Sequence, residues 1–124
     1  MKAEHGNVSI IAVAGVALAC MLCLGVARVG GAVVLKSRAD TAADAAALAA
    51  ADALALGHSG DDARSAAGAA AADNGARLVS CSCADDVAEV TVELAGAVGH
   101  AFGHARAEVD LSVLPPRATS TPAA

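Results

Sequence analysis

The twenty residues from Val8 to Ala27, VSIIAVAGVALACMLCLGVA, carry no charge. Wound as an α-helix at 1.5 Å per residue, they reach about 30 Å, the thickness of a bilayer's hydrocarbon core. A helix that is apolar all round must be buried on every side, so the run reads as a membrane span. Arg28 interrupts it, Val29 to Leu35 resumes it, and Lys36 and Arg38 close it. The expected span is therefore 8–35, behind a polar lead at 1–7. At the border of the first run Arg28 can snorkel to the interface; the alternative is a pairing site for a neighbouring subunit's carboxylate.

Two other uses of an N-terminal apolar run compete with an anchor. Lys2 followed by the run has the order of a secretory signal, but the run is too long for an ordinary cleaved one. Ala17-Leu18-Ala19-Cys20 loosely fits a lipoprotein signal that would leave Cys20 lipidated. Met21 to Ala27 stays apolar, however, where a mature lipoprotein turns polar. An uncleaved anchor is the better reading. Counting Lys2 against Arg28, Lys36 and Arg38 places the carboxyl side in the cytoplasm by the positive-inside bias.

Beyond the span the chain is rich in alanine. Ser37 to Leu56, SRADTAADAAALAAADALAL, contains no helix breaker before Gly57, and alanine is the best helix former. The segment 36–56 should continue the membrane helix. Asp40, Asp44, Leu48 and Asp52 recur at intervals of four and draw a polar edge beside an alanine surface. Small residues such as Ala42, Ala46 and Ala50 permit close helix–helix approach, so this row is the candidate packing surface for subunits of the same or a related kind.

Gly57-His58-Ser59-Gly60 marks a turn, with His58 a turn residue. Ser59 or Asp61 can cap a second helix over Asp62–Asp73, and Asn74-Gly75 can stop it. After Gly75 the period shortens to two. Leu78–Cys83 and Val87–Leu94 read as strands about an Ala84-Asp85-Asp86 turn; Ala88, Val90, Val92 and Leu94 form one apolar face. Ala105–Leu114 alternates again, and GHAFGHA before it reads as a loop. The expectation is an α+β chain: a long N-terminal helix, a second helix and a three-stranded antiparallel sheet in a head at 57–114. Pro115-Pro116 closes the last strand and 115–124 reads as a disordered tail.

The chain has 124 residues and a formal charge of −5, with one Phe and neither Trp nor Tyr. Without a basic patch or stacking aromatics, nucleic-acid binding finds no support. No nucleophile–base pair, phosphate loop or carboxylate dyad stands out, so no catalytic residue and no cofactor is assigned. Cys20 and Cys23 lie in the apolar run as small hydrophobes. Cys81 and Cys83 are disulfide candidates if exported, although a ring closed over C-x-C is strained; an intermolecular bond or free thiols stay open. Together with His100 and His104 they have the residue types of a zinc site, but the spacing is short and no metal ligand is assigned. A lipid-anchored or secreted binding protein, lipidated at Cys20 and with a metal-binding head, is the alternative to a structural subunit.

The polar lead with its Gly, the hydrophobic helix and R-A-D-T-A-A-D-A-A-A-L-A-A-A from Arg38 to Ala51 resemble the TadE/TadG-like proteins. Asn74-Gly75-Ala76-Arg77-Leu78, leading into a Cys-bearing strand, is similar to their short actinobacterial branch. The resemblance covers roughly Gly6 to Val113. It implies a pilin-like architecture with the head outside the cell, opposite to the charge count, and we follow the resemblance. It also implies a minor-pilin or membrane-component role in tight-adherence (Flp-type) pilus assembly or linked secretion machinery. Partners would be the membrane, other subunits of that machinery, or copies of this chain through its N-terminal helix. Some relatives are processed after a Gly with Glu at the fifth mature position; here the processing candidate is Gly6, followed five residues on by Ile11. Branch members often carry a Cys in the second helix that can pair with the strand Cys; this helix has none, and Cys81 and Cys83 are either its substitute or unrelated to it.

Overall fold

The computed structural model describes residues 5–110 and Ser112. The polar lead before His5, the expected strand end at Leu114 and the tail at 115–124 lie outside the described residues. Alanine content and the absence of proline allow the apolar run and the alanine segment to join as one helix, α1 (His5–Ala55). It is followed by α2 (Gly60–Asp73), then strands β1 (Arg77–Ala84), β2 (Val87–Gly96) and β3 (Gly99–Glu108) in one antiparallel sheet of order β1-β2-β3. The chain is α+β, with a long apolar N-terminal helix, a second helix and a three-stranded antiparallel sheet.

Helix α2 starts at Gly60, two residues before the position read from its acidic first turn. Ser59 is the N-cap: its Oγ accepts from the Asp62 N–H at 3.2 Å, while the Asp62 carboxylate accepts from the Ser59 N–H at 3.2 Å and Oγ at 2.8 Å. This reciprocal box satisfies amides that the first turn leaves without helical partners. Gly60 is tolerated because β1 runs close: a Cβ there would stand 2.6 Å from the Cys83 carbonyl oxygen. At the other end the Asn74 side chain donates to Ala70 O at 2.8 Å, and Gly75 turns the chain at φ 71°.

The hairpin between β1 and β2 is made by Asp85 and Asp86, with Asp85 in the left-handed region at φ 56°, a conformation that aspartate tolerates. Ala97 and Val98 turn β2 into β3. The loop expected at GHAFGHA is corrected here: the segment is strand, and β3 begins at Gly99 rather than Ala105. Its hydrogen bonds come from β2, which pairs residue for residue from Val87↔Glu108 to Gly96↔Gly99. Glycine weakens a strand in isolation, but it also admits close backbone approach. A Cβ on Gly103 would overlap the Ala39 carbonyl and come within 2.9 Å of the Asp40 nitrogen, so α1 crosses β3 at that residue.

The face phases nevertheless agree. Ala88, Val90, Val92 and Leu94 are buried, as their alternation requires, and Ala107 and Val109 point the same way. The two helices cover that face, α1 over β2 and β3 and α2 over β1. Among the described residues the buried core is Ala39, Ala42, Ala43, Ala46, Ala47, Ala50 and Ala51 of α1, Ala63, Ala67 and Ala71 of α2, Ala76, Ala88, Val90, Val92 and Leu94. Methyl groups replace bulky side chains, and the backbones approach one another in proportion.

Candidate functional site

Helix α1 presents two unlike surfaces. From Asn7 to Gly30 every residue is exposed, and the large side chains among them, Ile11, Leu18, Met21 and Leu24 included, keep 61–73% of their surface. Long and apolar enough to cross a membrane, this stretch is shielded by no other segment among the described residues. Contact with the head starts at Gly31, whose Cα position lies under Val98, and continues at Leu35, which packs on Gly96. The uncovered stretch thus ends five residues short of the expected boundary at Leu35. Hydropathy cannot separate a residue that meets lipid from one that meets a hairpin. The helix continues unbroken through Cys20 and Cys23, both exposed, and Gly6 belongs to its first turn.

Above Gly31 the alanine row changes meaning. Ala42, Ala46 and Ala50, the candidate surface for partner subunits, have no accessible surface at all. They pack under α2 and the sheet of the same chain, so close helix approach through small residues takes place inside the molecule. Outward, α1 shows at this level the four-residue row read as a polar edge. Asp44, Leu48 and Asp52 are exposed, Leu48 by 61%, and Asp40 is half-buried and paired with Lys36. Leu48 and, at 72% exposure, Leu56 are apolar points in an otherwise acidic line.

The outer face of the sheet is polar and tied across its strands. Glu93 of β2 takes Arg77 of β1 on one side and His100 Nδ1 of β3 at 3.1 Å on the other. Thr91 Oγ1 lies 2.9 Å from His104 Nδ1, and Arg106 pairs with Glu108 at 2.6 Å, which raises the Arg106 guanidinium above its ordinary range. The Glu93 and Thr91 contacts join neighbouring strands, whereas Arg106–Glu108 runs along β3, and all leave their groups engaged with each other.

Cys81 and Cys83 are bonded to each other within β1, Cα to Cα 5.4 Å. They face inward, beneath α2, because the register shifts between Leu78 and Ser80. The bulge adds a residue, so that Leu78 and Cys81, three apart, lie on one face. His100 and His104 lie on the other face, two strands away. The residue set that resembled a zinc site is divided by the sheet, and among the described residues no three His, Cys, Asp or Glu side chains are grouped to hold a metal. His58 lies exposed in the α1–α2 turn.

Comparison with curated proteins and with solved structures returns no match. Comparison with protein families matches residues 6–53 to the Flp pilus-assembly TadE/G-like family. The match covers less than half of the chain and coincides with α1, spanning both its uncovered apolar part and the alanine part that carries the head. Through that helix, residues 6–53 of the chain are similar to the TadE/G-like family of Flp pilus assembly.

Proposed function

We propose that this protein is a single-pass, minor-pilin-like membrane subunit with a structural role in assembling a tight-adherence pilus or related secretion machinery. Its head stands on the extracytoplasmic side, and it catalyses no reaction. The observation that carries this reading is the division of α1. The helix matched to the family is bare and apolar over residues 7–30, and its later alanines, Ala39, Ala42, Ala46 and Ala50, are fully enclosed by its own head. A bare apolar helix needs lipid or neighbouring helices, and in lipid such association runs through small residues. Gly15 and Ala19 are exposed small residues of that stretch. They replace Ala46 and Ala50 as positions where partner helices, or a second copy, would pack.

Gly15→Leu and Ala19→Leu should reduce co-purification with pilus-assembly subunits while leaving the melting of the head unchanged. Undiminished recovery of those subunits with both variants would count against the proposal. Intact mass of the membrane-extracted chain adds a second check. A full-length mass, or loss of residues 1–6 by processing after Gly6, is compatible with a pilus subunit; a mass starting at a lipidated Cys20 is not. Exposed Ser65 on α2 allows topology to be read directly: with Ser65→Cys, an impermeant thiol reagent should label intact cells.

A further inference from the structure

The turn between β2 and β3 sits low on α1. Val98 packs on Gly31 and Gly96 on Leu35, whereas the far end of the head reaches Ala55 and α2. Counted along the helix, Val8 to Leu35 is 28 residues, about 42 Å at 1.5 Å per residue, close to the ~40–45 Å of a bilayer with its headgroup layers. The Ala97-Val98 turn therefore lies level with one headgroup layer when the bare stretch fills the hydrocarbon.

Its chemistry fits that level. Val98 is 45% exposed and Val34 of α1 beside it 53%, while Val29 and Val33, at the same height but elsewhere around the helix, keep 63–66% of their surface. They make an apolar collar continuous with the bare helix. The basic residues of α1 beyond its first turn bracket this height, Arg28 about one turn below Gly31 and Lys36 and Arg38 just beyond Leu35, while its acidic residues Asp40, Asp44 and Asp52 all lie further out. Lys36 donates to Asp40 and to Phe102 O at 2.9 Å, joining the collar to β3. Phe102, the chain's one aromatic residue, is 47% exposed just above. Apolar and aromatic groups flanked by cations are what a phospholipid interface takes up.

We propose that the β2–β3 turn, Gly96–Gly99, is a second membrane contact: an apolar tip lodged among anionic phospholipid headgroups and holding the head at a set height on the bilayer. This rests on membrane anchoring through α1. The contact requires no particular side of the membrane, since helix and turn are fixed to each other by the packing of Val98 on Gly31.

The chain has no tryptophan, so one introduced residue is a clean reporter. Full-length Ala97→Trp and, at the far end of α1, Leu56→Trp are reconstituted in phosphatidylglycerol–phosphatidylethanolamine vesicles, with and without lipids brominated near the headgroup. Ala97 is exposed and Leu56 is 72% exposed; with the turn packed between Gly31 and Leu35, they stand roughly 32–37 Å apart along the helix axis. The expected result is blue-shifted Ala97→Trp emission that brominated lipid quenches, beside water-like, unquenched emission from Leu56→Trp. Val98→Trp serves in the same way should Ala97→Trp disturb the head's circular dichroism. Water-like emission from the turn in a chain that floats with the vesicles overturns the contact and leaves the anchor standing. Blue-shifted emission that ignores brominated lipid and fades as the protein is diluted in lipid assigns the turn to a second copy, and also overturns it. Failure to float with vesicles overturns the anchor and the contact together.

Discussion

At the scale of single residues, the glycines separate three physical situations. Gly103 lies against the α1 backbone, and Ala39 O cannot move without unpairing a helix. Gly103→Ala should lower head stability by about 3 kcal/mol, at the upper end for overpacking, seen as an earlier melt by circular dichroism in micelles. Gly68 of α2 has only the Leu78 methyl at 3.9 Å from its missing Cβ. Gly68→Ala should raise stability by up to about 1 kcal/mol, from helix propensity alone. The N-cap makes a third case. Ser59→Ala should cost about 1 kcal/mol. Hydrogen bonds from the Ser59 side chain and backbone hold the Asp62 carboxyl below its ordinary range. A depressed carboxyl contributes stability above its unfolded pKa and loses it as pH falls through the lower, folded value. Acid titration of α2 helicity should therefore show a loss below the normal aspartate range that Asp62→Asn removes.

At the scale of elements, the core consists of alanine faces meeting a valine strand. Val90 and Val92 are fully buried and are the largest side chains so enclosed among the described residues. Val90→Ala should cost about 2 kcal/mol from lost transfer and residual cavity, read from denaturant or thermal unfolding. Ala46→Leu adds three carbons where α1 meets the rest of the head, and should destabilise by about 1–3 kcal/mol. It would therefore lower partner recovery by unfolding the head, an effect that melting separates from loss of a contact. Leu48→Ala, at an exposed position on the same helix, should leave melting unchanged. The strands show what periodicity can convey. Alternation in Val87–Leu94 marked the buried side of β2 correctly, and the same parity held for Ala107 and Val109. The start of β3 was not legible, because GHAFGHA has the composition of a loop. Its strand conformation comes from the edge of β2 and from α1 lying where only Gly103 fits. The bulge at Leu78–Ser80 was equally hidden, since one extra residue in an eight-residue strand reads as imperfect alternation.

At the scale of the whole molecule, α1 is both the anchor and the largest contributor to the core. Among the described residues its first half packs against nothing in the chain, and its second half packs and exposes an acidic edge. The Cys81–Cys83 bond encloses a single intervening residue, so it restrains little of the unfolded chain. Reduction should shift the head's melting by no more than about 1–2 kcal/mol in stability, compared with and without reductant. The apolar run, the helical alanine segment, the order of helices and strands and the family signature in 6–53 were all determined by the sequence alone. Each depends on composition or on a period within one segment, where the physics is local: helix propensity, strand alternation, the length of a span. Only the tertiary structure decided which alanines are consumed inside the head, that cysteines and histidines stand on opposite faces of the sheet, and how low the β2–β3 turn reaches on the helix. These depend on which segments meet and at what register, and the partner surface, rather than the segment itself, sets the energy of that choice.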